Sequence, residues 1–133
     1  MVIFDANMIL RYVLNDSEEM ADVADKYIAV GDVYVTLEVM AEVVYVLHGP
    51  YGMNREQIFN AVMDFLKLVN CEEKIVLYLA METYKRNNLD FVDCILFAYN
   101  RLKGAEIATF DKKTVALAWR LKSWTNLKCT RRI

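Results

Sequence analysis

Short β-type runs alternate with helical stretches along this chain, and that alternation restricts it to the α/β class with a central, mainly parallel sheet. Residues 2–4, Val-Ile-Phe, form an apolar run of the kind found in a buried strand. A helical stretch follows over about 7–14. Asp16-Ser17-Glu18-Glu19 has capping-box spacing and starts a helix that carries Met20, Val23, Ala24 and Tyr27 and ends at Gly31. Residues 33–35 are β-branched and aromatic, so they predict a strand. Thr36 is placed to cap a helix through Leu47 that Gly49-Pro50 halts. The next helix begins near Asn54 and carries Ile58, Phe59, Val62, Met63, Phe65 and Leu66. A short strand at 70–72, helices at about 74–86 and 91–103, and Gly104 as a stop come next. Strands at 106–109 and 127–130 flank a helix over 112–121. With 4 glycines and 1 proline there is little room for long loops, and the 133 residues read as a single domain, 1–133.

Charge is distributed unevenly. All 18 acids lie in the first 111 residues, together with nine of the 16 bases. The other seven bases follow Asp111: Lys112, Lys113, Arg120, Lys122, Lys128, Arg131 and Arg132. A basic end beside an acidic site suits an enzyme acting on a polyanion; a solvated helix face and a frayed terminus account for the bases equally well. Hydrophobic residues make up 56% of the chain, which leaves apolar surface to share with a partner. No run of about 18 uncharged apolar residues occurs, so no membrane span is expected. Asp5 lies in the first residues without a basic leader, which argues against a secretory signal. Cys71, Cys94 and Cys129 are scattered, with no CxxC, which argues for a reducing, cytoplasmic setting and against zinc.

Four carboxylates sit in or beside apolar runs, where a solvated charge is out of place: Asp5, Glu42, Asp93 and Asp111. Burying a lone carboxylate costs several kcal/mol or forces it neutral. Convergence on a divalent cation removes that penalty. Asp5 and Asp111 each follow an expected strand and precede a helix, so both belong at the carboxyl ends of strands, where ligand sites gather in parallel sheets. Each also suits a helix N-cap. Glu42 falls just outside the apolar arc of Val39, Met40, Val43, Val44, Val46 and Leu47; it either meets a cleft or faces water. Glu38, one turn earlier, belongs in solvent. Asp93 lies on a helix that is apolar almost all round, flanked by Leu96 and Phe97, and shares its polar strip only with Asn100. It needs a partner, as a ligand or as a hydrogen-bonded structural residue. Asp90 precedes that helix and can cap it or support the site. Oxygen ligands without His or Cys select Mg²⁺ or Mn²⁺. His48, the only histidine, beside Gly49-Pro50, suits the surface.

The order of these motifs resembles the PIN-domain nucleases, most closely the VapC-type toxins of toxin–antitoxin pairs. The resemblance spans nearly the whole chain. It rests on Ile3-Phe4-Asp5-Ala6-Asn7, Glu42-Val43-Val44-Tyr45-Val46-Leu47, Leu89-Asp90-Phe91-Val92-Asp93-Cys94-Ile95-Leu96 and Ala108-Thr109-Phe110-Asp111-Lys112-Lys113. It implies a PIN-like (Rossmann-like) α/β/α sandwich. By resemblance, Asp5, Glu42, Asp93 and Asp111 are the catalytic, metal-binding acids, and Asn7 and Thr109 are polar residues that support them. Ala6 departs from the Thr or Ser usual after the first Asp. The resemblance implies a Mg²⁺- or Mn²⁺-dependent endoribonuclease that hydrolyses RNA with a metal-activated water. Its partners are an RNA substrate, an antitoxin and a second copy in a homodimer. Lys112, Lys113 and Arg120 are the expected RNA contacts, and Tyr12, Tyr45, Trp119 and Trp124 are placed to stack on bases or to pack. Two other functions keep the fold: a nuclease of RNA processing or quality control, and a non-cleaving module that binds RNA or protein. A haloacid-dehalogenase-type phosphatase needs Asp-x-Asp after the first strand, where this chain has Asn7, and no P-loop occurs.

Overall fold

The computed structural model describes residues 1–114, 116 and 117, and the backbone of 131 and 132. The chain forms two compact units, Met1–Lys74 and Ile75–Ile133. Parallel strands alternate with helices, as expected of the α/β class.

The first unit runs β1 (Val2–Ile3), α1 (Ala6–Leu14), α2 (Glu18–Val30), β2 (Val33–Tyr34), α3 (Leu37–His48) and α4 (Arg55–Leu66). β1 and β2 pair in parallel, Val2 opposite Val33 and Ile3 opposite Tyr34. A parallel pair needs a long crossover, and α1 and α2 supply it. Asn70 adds a third parallel position as a single bridge to Tyr34, held by Val35 N to Asn70 O at 2.9 Å and Asn70 N to Val33 O at 2.8 Å. The strand expected at 70–72 is reduced to that bridge.

Helix starts in this unit are set by side-chain caps at Asp5, Ser17, Thr36 and Asn54. The capping box lies elsewhere than the spacing of Asp16 and Glu19 predicts. Ser17 is the cap of α2, which puts Met20, whose side chain cannot reciprocate, three residues on. Asp16 instead accepts from Arg11 Nη1 at 2.7 Å, while Arg11 Nη2 donates to the Tyr51 hydroxyl at 3.0 Å. The reciprocal box is at α4, where Gln57 N donates to Asn54 Oδ1 at 2.8 Å and Asn54 N donates to Gln57 Oε1 at 3.0 Å.

The core of this unit follows helical periodicity. α3 buries Met40, Val43, Val44 and Leu47, and α4 buries Ile58, Val62, Phe65 and Leu66. Phe4 is buried, with the Tyr27 ring edge-on to it at 6.1 Å between centroids. Val2 and Ile3 correct the expectation of a buried strand: both are exposed, and only Phe4, past the strand end, enters the core. An apolar run of three residues shows that a strand is favoured, not that both its faces are covered.

The second unit runs α5 (Lys74–Arg86, its first residue at the boundary), α6 (Phe91–Lys103), β3 (Ala108–Thr109) and β4 (Arg131–Arg132). β3 and β4 pair in parallel, Ala108 opposite Arg131 and Thr109 opposite Arg132. Gly104, with φ of 65°, ends α6 in the left-handed region that disfavours any side chain. Residues 112–114, 116 and 117 are helical; the rest of the helix expected to 121, and the strand expected at 127–130, lie outside the described residues. Hydrogen bonding among the described residues thus gives one parallel pair in each unit. None of the described helices is long and apolar enough to cross a membrane.

Asn54→Ala is expected to lower stability by about 1 kcal/mol by removing one half of the box and releasing the other. Urea unfolding followed by circular dichroism measures it, and an unchanged midpoint would show that water replaces the cap at no cost.

Candidate metal centre

Asp5 stands between β1 and α1. Its Oδ1 accepts from Met8 N at 2.9 Å and its carbonyl from Ile9 N at 3.3 Å, so it is the N-cap of α1. Asp5 is exposed, and capping uses one carboxylate oxygen, which leaves Oδ2 for another ligand. Asn7, in the first turn of α1, is exposed. Glu42 is on the outer face of α3, exposed like Glu38, with Val43 and Val44 turned into the core beside it. Its position past the edge of the apolar arc is the one expected from the wheel.

Asp111 repeats the Asp5 arrangement in the second unit. Its Oδ1 accepts from Lys113 N at 2.8 Å and from Thr114 N at 3.1 Å, capping the helical turn that begins at Lys112. Its own N–H donates to Thr109 Oγ1 at 2.9 Å. Thr109 therefore orients the acid through the backbone. Between them Phe110 is 73% exposed, although the sequence places it in an apolar run. Lys112 and Lys113 are exposed beside Asp111; Arg120 lies outside the described residues.

Asp93 is half-buried in the first turn of α6. The helix is not buried all round: Phe91, Cys94, Phe97, Ala98 and Asn100 are covered, while Val92 and Leu102 are exposed. Apolar residues on its open face made the sequence pattern look uniformly buried. Asn100 is fully buried and donates from Nδ2 to Ala105 O at 2.7 Å, which ties down the exit of α6. Asp93 has Asp111 and Asp90 as its charged neighbours among the described residues. Burial pushes its carboxyl above the ordinary range, and the charges of Asp111 and then Asp90 push it further. Asp90 precedes α6 without a side-chain cap bond, so its exposed carboxylate is not spent on the helix.

Asp93, Asp111 and Asp90 are thus electrostatically coupled within one unit, and Asp5 and Glu42 belong to the other. Among the described residues no group of three or more His, Cys, Asp or Glu side chains is gathered tightly enough to hold a metal ion. The donor chemistry of the second unit nevertheless suits a hard divalent cation: among the described residues the charged neighbours of the half-buried Asp93 are the carboxylates of Asp111 and Asp90, and Asp111 caps through one oxygen. His48 is exposed with Nδ1 3.3 Å from Met53 O, a surface residue as expected. Of the aromatic candidates, Tyr45 is 76% exposed on α3, whereas Tyr12 packs against Phe65 at 5.8 Å. Trp119 and Trp124 lie outside the described residues.

A profile of the PIN domain matches residues 2–119, across both units. Comparison with curated proteins and with solved structures returned no significant match.

The raised Asp93 carboxyl fixes the sign of a pH effect in metal-free protein. The folded state keeps this proton to higher pH than the unfolded chain does. Its contribution to stability is therefore present at low pH and falls as pH rises from about 3.9, the unfolded value, through the raised folded one. Asp93→Asn is expected to raise the Tm at pH 7 in chelator, with the gain vanishing below about pH 4. Thermal melts of both proteins across that range check it; equal Tm values at pH 7 would refute the like-charge strain.

Proposed function

The chain belongs to the PIN-domain family, whose members are generally metal-dependent nucleases acting on RNA. From that premise we propose that it is an endoribonuclease dependent on Mg²⁺ or Mn²⁺ and the toxin of a toxin–antitoxin pair. The match runs without a break from residue 2 to 119, which supports reading the two units as one domain.

The observation that carries the enzymatic reading is Asp93, a half-buried carboxylate whose charged neighbours are Asp111 and Asp90. A structural aspartate is normally met by donors or a cation, and among the described residues this one is met by neither. Asp5, Glu42, Asp93 and Asp111 are assigned to metal binding on the order of the family's motifs. When bound, the divalent cation supplies an acidified water as nucleophile and neutralises charge on the phosphodiester. The chain's own contribution is to supply four carboxylates and to hold two of them by their backbone turns. The Asp5 and Asp111 carboxylates cannot swing freely, because each is fixed through Oδ1 to the helix it caps. Thr109 and Asp90 support Asp111 and Asp93 by hydrogen bond and by charge. Lys112 and Lys113 draw the RNA backbone toward Asp111.

A protein partner has support in the surface of α2. Met20, Val23, Tyr27 and Val30 are all exposed and recur at spacings of three and four, an apolar stripe along one helix face. An antitoxin segment or a second copy of the chain is the occupant proposed for this role.

Cleavage of single-stranded RNA is expected with Mg²⁺ or Mn²⁺ and not with chelator. Asp5→Asn and Asp93→Asn should each lower the rate by more than the roughly 10–100-fold that outer-sphere substitutions at metal sites cost. Gel assays of purified variants decide this. Metal-dependent cleavage that survives both substitutions would remove Asp5 and Asp93 from the metal site, and no cleavage by the wild type with either metal would remove the enzymatic reading. Growth arrest on expression, relieved by a small protein encoded next to the gene, tests the toxin role; unimpeded growth with active enzyme would favour RNA processing instead.

A further inference from the structure

Phe110 is the least expected side chain in the second unit. It has no polar atom to offer water, yet it is 73% exposed. It is not on a loose loop. On its N-terminal side Thr109 is paired in β3, opposite Arg132 of β4. On its C-terminal side Asp111 caps the helical turn through Lys113 N and Thr114 N. The hydrogen bond from Asp111 N to Thr109 Oγ1, 2.9 Å long, closes over Phe110 itself. The fold therefore holds an aromatic ring out in solvent on a backbone fixed at both ends.

The neighbours of the ring indicate its ligand. Asp111 follows it directly, and the exposed Lys112 and Lys113 come next. Protein–protein interface cores are depleted in Lys and Asp, so an apolar protein partner fits this run poorly. Single-stranded nucleic acid presents an aromatic face and a phosphate in each nucleotide, and its binding sites pair stacking rings with cationic groups.

We propose that Phe110 is a stacking platform for an unpaired nucleobase next to the phosphodiester handled at Asp111, with Lys112 and Lys113 on the adjoining phosphates. This rests on the nuclease reading. It gives the single-stranded substrate of that reading a specific contact, since a base already paired and stacked in a duplex cannot lie on the ring. The contact is blind to base identity, because every base has a π face.

Two measurements test it in the full-length protein. The first is steady-state cleavage of a single-stranded oligoribonucleotide with Mn²⁺. Phe110→Ala should raise KM at least about fivefold, the lower end of what loss of one stacking aromatic costs, and Phe110→Trp should restore it. The second is the fluorescence of 2-aminopurine placed along the same oligonucleotide, bound to the Asp93→Asn protein. One position should be quenched, and the quenching should disappear when Phe110→Ala is added. Cleavage and quenching that are unchanged in Phe110→Ala overturn the platform. So does normal RNA behaviour combined with a change in oligomeric state by light scattering, which makes Phe110 a protein contact. If the wild-type protein cleaves no RNA with any divalent metal, the nuclease reading fails, and the quenching assay still decides whether the ring takes a base.

Discussion

Helix N-capping by aspartate is the interaction on which the proposed site depends. At two of the three described places where a strand gives way to a helix within a few residues, the turn is closed by an Asp carboxylate accepting backbone N–H groups, and at the third by Thr36. The exposed N–H groups at a helix start must be satisfied, and Asp is among the best residues for that task. Local folding energetics thus place a carboxylate at the end of β1 and another just after β3. The oxygens that the caps do not use are the ones left for the proposed metal.

Like-charge coupling complements this at Asp93. The acid is partly withdrawn from water on α6, and its charged neighbours among the described residues are Asp111 and Asp90. Such an arrangement is costly in isolation, and the cation of the proposed function would offset that cost. Asn100 donates its amide to the carbonyl of Ala105 at the helix exit. The polar strip that the two residues share on the helical wheel is divided between two tasks, one structural and one electrostatic.

Much of the fold was legible because its punctuation is strong. Gly31 and Gly104 adopt left-handed conformations where the helices stop, Thr36 and Asn54 cap where the sequence puts them, and the bounds of α5 and α6 match the expected spans. The errors share a cause. Apolar runs reveal periodicity but not what covers each face, so Val2, Ile3, Val92 and Phe110 look like core in the sequence and are exposed in the structure. The capping box was misplaced because Asp16 has a better partner in Arg11, a contact across five residues that local spacing does not register. At the site, the strand-end positions of Asp5 and Asp111 and the outward position of Glu42 followed from pattern alone. The coupling of Asp93 to Asp111 needs three-dimensional proximity, and the solvent position of the Phe110 ring needs the turn that Thr109 closes.

Capping by Asp5 and Asp111 also bears on how such a protein can change over generations. Asparagine caps a helix about as well as aspartate. One substitution at either position can remove a negative charge while leaving the turn, the helix start and the core intact. On the proposed assignment, loss of catalysis would therefore be uncoupled from loss of fold at these two positions. A lineage carrying this scaffold would then have a short, structurally silent route from cutting RNA to merely holding it.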